Sequence, residues 1–139
     1  MYNTIMVPVD LSHVDRLTRS LDVGRDLARL YDAGICYVAV APTAPTDIAS
    51  SEDEFREKME QFAAEQASTH GIRARARVLP STDPVAEVND LLVAAIPQVG
   101  ADLVVMASHV PGIADHLHLM SSNAAYVVKH AEVSVFVVR

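Results

Sequence analysis

Residues 100–109 read Gly-Ala-Asp-Leu-Val-Val-Met-Ala-Ser-His, and the architecture of the chain follows from this stretch. An unbroken apolar run begins just after a glycine and stops at a polar pair. A strand covered on both faces has this composition, because a strand with one wet face would alternate apolar and polar positions. Upstream, Val85, Val88, Leu91, Leu92 and Ala95 recur at helical spacing. Glycine adopts the left-handed conformation that ends a helix without a Cβ clash, so Gly100 is expected to close a helix and release a strand.

The same unit occurs twice more. Gly34 follows the helical set Val14, Leu17, Leu21, Ala28 and Tyr31 and precedes the apolar segment 35–41. Gly71 follows Phe55, Met59, Phe62, Ala63 and Gln66 and precedes segment 72–79. A first strand over 4–9, a fourth over 102–107, a helical set at Ala124, Val127, Val128 and Ala131, and a last strand over 133–138 complete the alternation. Asp83-Pro84 reads as a helix N-cap followed by proline at the first helical position. The order βαβαβαβαβ calls for parallel strands joined by right-handed crossovers. Segment 72–79 is the exception to continuous burial. Arg73, Arg75 and Arg77 alternate with Ile72, Ala74, Ala76 and Val78, which predicts a sheet edge with one wet face. Residues 42–51, Pro-Thr-Ala-Pro-Thr-Asp-Ile-Ala-Ser-Ser, form the main irregular connection, either a solvated linker or a lid over a ligand.

Bulk properties narrow the function. At 139 residues, 50% hydrophobic and 21% charged, the expectation is a single soluble domain spanning 1–139. A formal charge of −7 disfavours a nucleic-acid partner, because phosphate backbones require a clustered positive surface. The only cysteine, Cys36, excludes an internal disulfide and reads as inert core. No basic leader precedes the first strand and no apolar stretch approaches the ~20 residues that span a bilayer, so a cytoplasmic protein without membrane attachment is expected.

In an open doubly wound sheet, ligands bind beyond the carboxyl ends of the strands, where strand order reverses. With the order 3-2-1-4-5, that crevice lies between the first and fourth strands. Their carboxyl ends are Pro8-Val9-Asp10 and Met106-Ala107-Ser108-His109. Ser121-Ser122-Asn123 is expected to open the last helix, whose N-terminal N–H groups and dipole favour anions.

The segments 5–12 (IMVPVDLS), 100–109 (GADLVVMASH), 119–131 (LMSSNAAYVVKHA) and 135–139 (VFVVR) resemble those of the universal stress proteins, in particular a short single-domain bacterial branch. The resemblance covers essentially the whole chain. It implies a Rossmann-like α/β fold, with a doubly wound five-stranded parallel sheet of order 3-2-1-4-5 and helices on both faces. It also implies a homodimer and, as in many members, bound ATP, with Mg²⁺ as a companion ion. By position, the adenosine-holding residues are Pro8, Val9, Asp10 and Val40. Around the phosphates, family members carry Gly-x-x-Gly, nine residues, then Gly-Ser/Thr. Here Ala107 takes the first glycine position, the second falls between Val110 and Gly112, and Ser121-Ser122 replaces the Gly-Ser pair. The complete expected nucleotide set is Pro8, Val9, Asp10, Val40, Met106, Ala107, Ser108, His109, Gly112, Ser121, Ser122 and Asn123.

Each candidate also has a plainer reading. His109, His116 and His118 could contribute to a metal site or simply structure their loop, and no metal is assigned. Asp10 serves as a turn cap or an adenosine acceptor rather than as a catalytic acid. Ser12 and Ser108 lack a nucleophile-elbow context, so no catalytic residue is assigned and enzymatic activity beyond slow nucleotide hydrolysis is not expected. The arginine stripe is a binding surface or an exposed strand face. His130 places a cation at a helix C-terminus. Val133, Val135, Phe136 and Val137, on an apolar edge strand, are the expected dimer contacts. The leading function is a stress-responsive module that binds ATP or another adenine nucleotide. The alternative is a nucleotide-free dimer that works through a protein partner after losing its loop glycines.

Overall fold

In the computed structural model, residues 1–108 and 118–139 are described, residues 118–122 by their backbone alone. Five strands, β1 (Thr4–Pro8), β2 (Gly34–Pro42), β3 (Ala74–Ser81), β4 (Leu103–Ala107) and β5 (Ser134–Val138), form one parallel sheet in the order β3-β2-β1-β4-β5. Four helices connect them: α1 (Thr18–Tyr31), α2 (Glu52–His70), α3 (Pro84–Val99) and α4 (His118–His130). The first two crossovers move outward from β1 through β2 to β3, and the third returns to β4. Right-handed connections therefore place α1 and α2 on one face and α3 and α4 on the other. This is the doubly wound order expected from the sequence.

The continuous apolar strands divide their side chains between two cores. Ile5, Val7, Ile35, Tyr37, Ala39, Leu103 and Val105 face α1 and α2. Met6, Cys36, Val38, Val104 and Met106 face α3 and α4. Burial raises the pKa of the Cys36 thiol, despite the opposing field of Arg75 and Arg77, so the thiolate is disfavoured. Among the described residues, no helix is long and apolar enough to cross a membrane.

The helix ends follow local chemistry, with two departures from expectation. Gly71 and Gly100 close α2 and α3 at φ 63° and 70°. No atom lies within 4 Å of a Cβ built at either, so backbone conformation is what calls for glycine there. Gly34, by contrast, is the first residue of β2, and the left-handed residue ending α1 is Asp32, at φ 52°. Its N–H reaches the Ala28 and Arg29 carbonyls, and a short polar side chain tolerates this conformation better than most. The second departure is at α4, which begins at His118 and not at Ser121. Ser121 and Ser122 are therefore the fourth and fifth helical residues, so they do not form the cap. The chain is already helical through His118-Leu119-Met120, which contain no breaker. Asp83 does cap α3, its carboxylate accepting from the Ala86 N–H at 3.3 Å, with Pro84 next.

β3 and β5 are the sheet edges. On β3, Arg75 and Arg77 are exposed, while Ala74 and Ala76 pack towards the α1–α2 core. Arg73 donates to the Asp32 carboxylate and carbonyl, and Arg75 donates to the Val99 carbonyl at the end of α3. Two members of the stripe thus tie the edge to helix ends. On β5, Val135 and Val137, with Val133 just before it, are half-buried against the α3–α4 core, and Phe136 on the opposite face is 45% exposed.

Tyr37 yields a stability prediction. It is fully buried, stacks edge-on with Phe62, and its hydroxyl has no hydrogen-bond partner among the described residues. Burial pushes its pKa from 10.0 up to about 12, against a smaller opposing effect of Arg25. Between those values the unfolded chain loses this proton before the folded chain does, so stability falls as pH rises through the interval. The loss amounts to roughly 2 kcal/mol. Tyr37→Phe is expected to remove that alkaline decline and, at neutral pH, to match or exceed the parent by about 1 kcal/mol. Urea titrations at pH 7, 10 and 12 check both effects, and a variant less stable than the parent at pH 7 contradicts the orphaned-hydroxyl account.

Candidate functional site

β1 and β4 are neighbours along only part of their length. Asp102 clamps their amino ends: its carboxylate accepts from the Asn3 and Thr4 N–H groups at 3.0 and 3.1 Å, and its own N–H donates to the Thr4 carbonyl at 3.0 Å. Pairing continues through Ile5↔Leu103 and Met6↔Val104 and then stops. Beyond it, each strand follows its outer neighbour, β1 to Pro8↔Val38 and β4 to Ala107↔Val138. The next N–H groups do the same, Val9 donating to the Val38 carbonyl and Ser108 to the Val138 carbonyl, at 2.8 and 2.9 Å. Proline at position 8 has no N–H to contribute. The two central strands are thus fastened at one end and parted at the other, which is the strand-order reversal where such sheets accept ligands.

A cavity of about 220 Å³ lies at the parted end. Pro8, Val9 and Asp10 border it from the end of β1, with Leu11 and Ser12 following, and Val38, Val40 and Pro42 from β2. Pro84, Val85, Val88 and Leu92 of α3, Phe55 of α2 and Asn123 of α4 complete the described wall, together with Thr46 and Ile48. Those last two come from the connection over residues 42–51, which is fastened in place. The Thr46 N–H donates to the Ala49 carbonyl, the Ala49 N–H to the Thr46 hydroxyl, and the Lys58 ammonium to the Ile48 carbonyl. The connection is therefore part of the cavity wall.

Polar groups are few. Asp10 caps the 3-10 segment Leu11–Leu17, its Oδ1 accepting from the Ser12 N–H at 2.9 Å. Its Oδ2 meets His13 Nδ1 at 2.9 Å, and both side chains are half-exposed. A neutral imidazole so placed keeps its proton on Nδ1 and presents Nε2 as an acceptor. His13 was absent from the sequence-derived site, although Asp10-x-x-His13 is the spacing that closes one turn. Asn123 is 3% exposed, and its Oδ1 has no hydrogen-bond partner among the described residues.

Pro8, Val9, Asp10, Val40 and Asn123 of the expected set therefore meet at one cavity. Met106 and Ala107 are buried core residues of β4 and do not border it, and Ser108 is half-buried beyond the strand. Ala107 is in a strand paired with Val138, an extended conformation in which its Cβ meets no left-handed strain. His109, Gly112 and His116 lie outside the described residues, as do the side chains of His118, Ser121 and Ser122. Val38, Thr46, Ile48, Phe55, Val85, Val88 and Leu92 join the site without having been expected there, because their apolar or loop character gave them only a packing signature.

Residues 1–139 match the universal stress protein family. The chain is 30% identical to universal stress protein G of Escherichia coli O157:H7 over 153 aligned positions, covering all of both chains. The chain belongs to the universal stress protein family. Solved relatives share the fold at lower identity. The universal stress protein of Archaeoglobus fulgidus in complex with dAMP has a TM-score of 0.68 at 19% identity, with 99% of this chain and 98% of that one covered. A universal stress protein family member of Arabidopsis thaliana with AMP bound has a TM-score of 0.63 at 19% identity, covering 98% and 90%.

Proposed function

We propose that this universal stress protein is a binding module that holds an adenine nucleotide in the cavity at the carboxyl ends of β1 and β2, beside the point where β1 and β4 part. The observation that carries this reading is the cavity itself, which lies at the strand-order reversal and brings together Pro8, Val9, Asp10, Val40 and Asn123. Its apolar walls suit the faces of a purine, which lose little by leaving water. Its polar side chains, the Asp10 carboxylate, the Ser12 and Thr46 hydroxyls and the Asn123 amide, suit the hydroxyls and amine around a nucleoside. The relatives described with dAMP and AMP support the same ligand class. ATP with Mg²⁺ is the fuller form of this reading, its phosphates extending towards the amino end of α4. Asp10 acts as a positioning acceptor, held by Ser12 and His13, and no group is assigned to bond cleavage.

The protein works in this reading as a cytoplasmic homodimer, two copies pairing along β5. The support is the edge position of that strand and the exposure of Phe136, an apolar ring that a second copy would cover. Calorimetric titration of the full chain with AMP, and with ATP plus Mg²⁺, tests the ligand. The expected result is saturable heat at one nucleotide per chain. No heat up to millimolar nucleotide rejects the assignment and favours a nucleotide-free interaction protein. Sedimentation of the same sample tests the assembly, where a 15 kDa species alone at micromolar concentration overturns the dimer.

A further inference from the structure

Asn123 has the features of a residue that selects the ligand. Asn123 borders the cavity from α4, and Asp10 borders it from just beyond the end of β1. A side chain this buried normally has its polar atoms paired, because an unsatisfied amide is costly away from water. Here Oδ1 has no partner among the described residues. Asn89 of α3 has an unpaired Oδ1 as well, yet it is one residue beyond Val88 and does not border the cavity. Asp10 also contributes acceptors, since each of its oxygens already takes one donor and keeps lone pairs to spare. Asp10 and the unpaired Oδ1 of Asn123 are thus two acceptors at the wall that donors brought by a ligand would satisfy.

We propose that the Asn123 amide oxygen accepts a hydrogen bond from a donor group of the bound nucleoside and so sets which nucleoside the cavity prefers. This inference rests on the nucleotide-binding reading and deepens it. The donors that distinguish one nucleoside from another here are the exocyclic amine of the base and the ribose 2′-hydroxyl, the 3′-hydroxyl being common to AMP, inosine monophosphate and deoxyadenosine monophosphate. Inosine monophosphate lacks the first and deoxyadenosine monophosphate lacks the second, so these two ligands separate the sources. The Oδ1 atom is itself buried, so contact requires the terminal amide to rotate towards the cavity that Asn123 borders.

The experiment is a calorimetric comparison of AMP, inosine monophosphate and deoxyadenosine monophosphate on the parent chain, on Asn123→Leu and on Asn89→Leu. The parent is expected to bind AMP about tenfold more tightly than whichever analogue lacks the recognised donor. Asn123→Leu is expected to lose about tenfold in AMP affinity and to bind that analogue and AMP within twofold of each other. Its melting temperature without ligand is expected to equal or exceed the parent's, because leucine leaves no unpaired oxygen. Asn89→Leu is expected to retain the parent's affinity and preference. Equal affinity of the parent for all three nucleotides overturns the inference without any variant, and so does AMP binding that Asn123→Leu leaves unchanged. A lower melting temperature for Asn123→Leu also overturns it, by showing that the amide is satisfied within the protein. If the parent binds no AMP, the nucleotide reading fails and this inference fails with it. If AMP binds but the preference is absent, the inference alone fails.

Discussion

Val40→Trp is expected to abolish adenine nucleotide binding, by about a hundredfold or more, in a chain that keeps its fold. Val40 is half-buried near the carboxyl end of β2 and borders the cavity while packing partly on the α3–α4 core. An indole at this position has an empty volume of about 220 Å³ to enter and no need to displace packed neighbours. Overpacking usually costs about 1–3 kcal/mol because the interior has no room. Here room exists, so the change in folding stability should stay within about 1 kcal/mol. The ligand, by contrast, loses the space that its most apolar part would occupy, and with it most of the burial that drives association. Calorimetry and thermal melting on the same sample separate the two effects. Nucleotide affinity within threefold of the parent would show that the ligand is bound elsewhere.

Gly24→Leu is expected to lower folding stability by about 3 kcal/mol, the largest loss anticipated for a single change outside the cavity. A glycine inside a helix usually gives up about 1 kcal/mol relative to alanine, so replacement there often stabilises. Gly24 is in a different situation. It is buried in α1, and a Cβ built on it comes within 3.3 Å of Val7 Cγ2. Val7 is fully buried on β1, the middle strand of the sheet, at a position paired with β2 and just beyond the last pairing with β4. An isobutyl group would push α1 away from β1 or force β1 towards the cavity. The helix-propensity gain is smaller than either distortion. Urea unfolding measures the difference, and a Gly24→Leu chain as stable as the parent would rule out close helix–strand contact as the reason for this glycine.

Much of the architecture was legible because each of its determinants is local. A continuous apolar run such as Leu103–Ala107 signals burial on two faces, and Gly71 and Gly100 signal helix ends through backbone conformation. The alternation of Arg75 and Arg77 with Ala74 and Ala76 signals an edge. Where local chemistry permitted two solutions, the sequence reading missed. Asp32 took the left-handed position that Gly34 could equally have filled, and α4 extended back through His118 because nothing there stops a helix. The polar members of the site were partly visible, since Asp10 follows an apolar strand and Asn123 follows a Ser-Ser pair that reads as a helix start. Phe55, Val88 and Leu92 were not, because an apolar residue looks the same in sequence whether it packs on a core or borders a cavity.

The sequence alone determined the alternation of strand and helix, the burial of each strand and hence the doubly wound class, since these depend on contacts between residues close together in the chain or on their period. Tertiary structure decided where β1 and β4 part. Asp102 fastens one end of the pair, while Val9 and Ser108 give their N–H groups to Val38 and Val138 instead of to the strand between them. That choice joins residues from distant parts of the chain. It opens the space beside Asp10 and leaves Asn123 at its wall, and no local pattern encodes a competition among hydrogen-bond partners that meet only after folding.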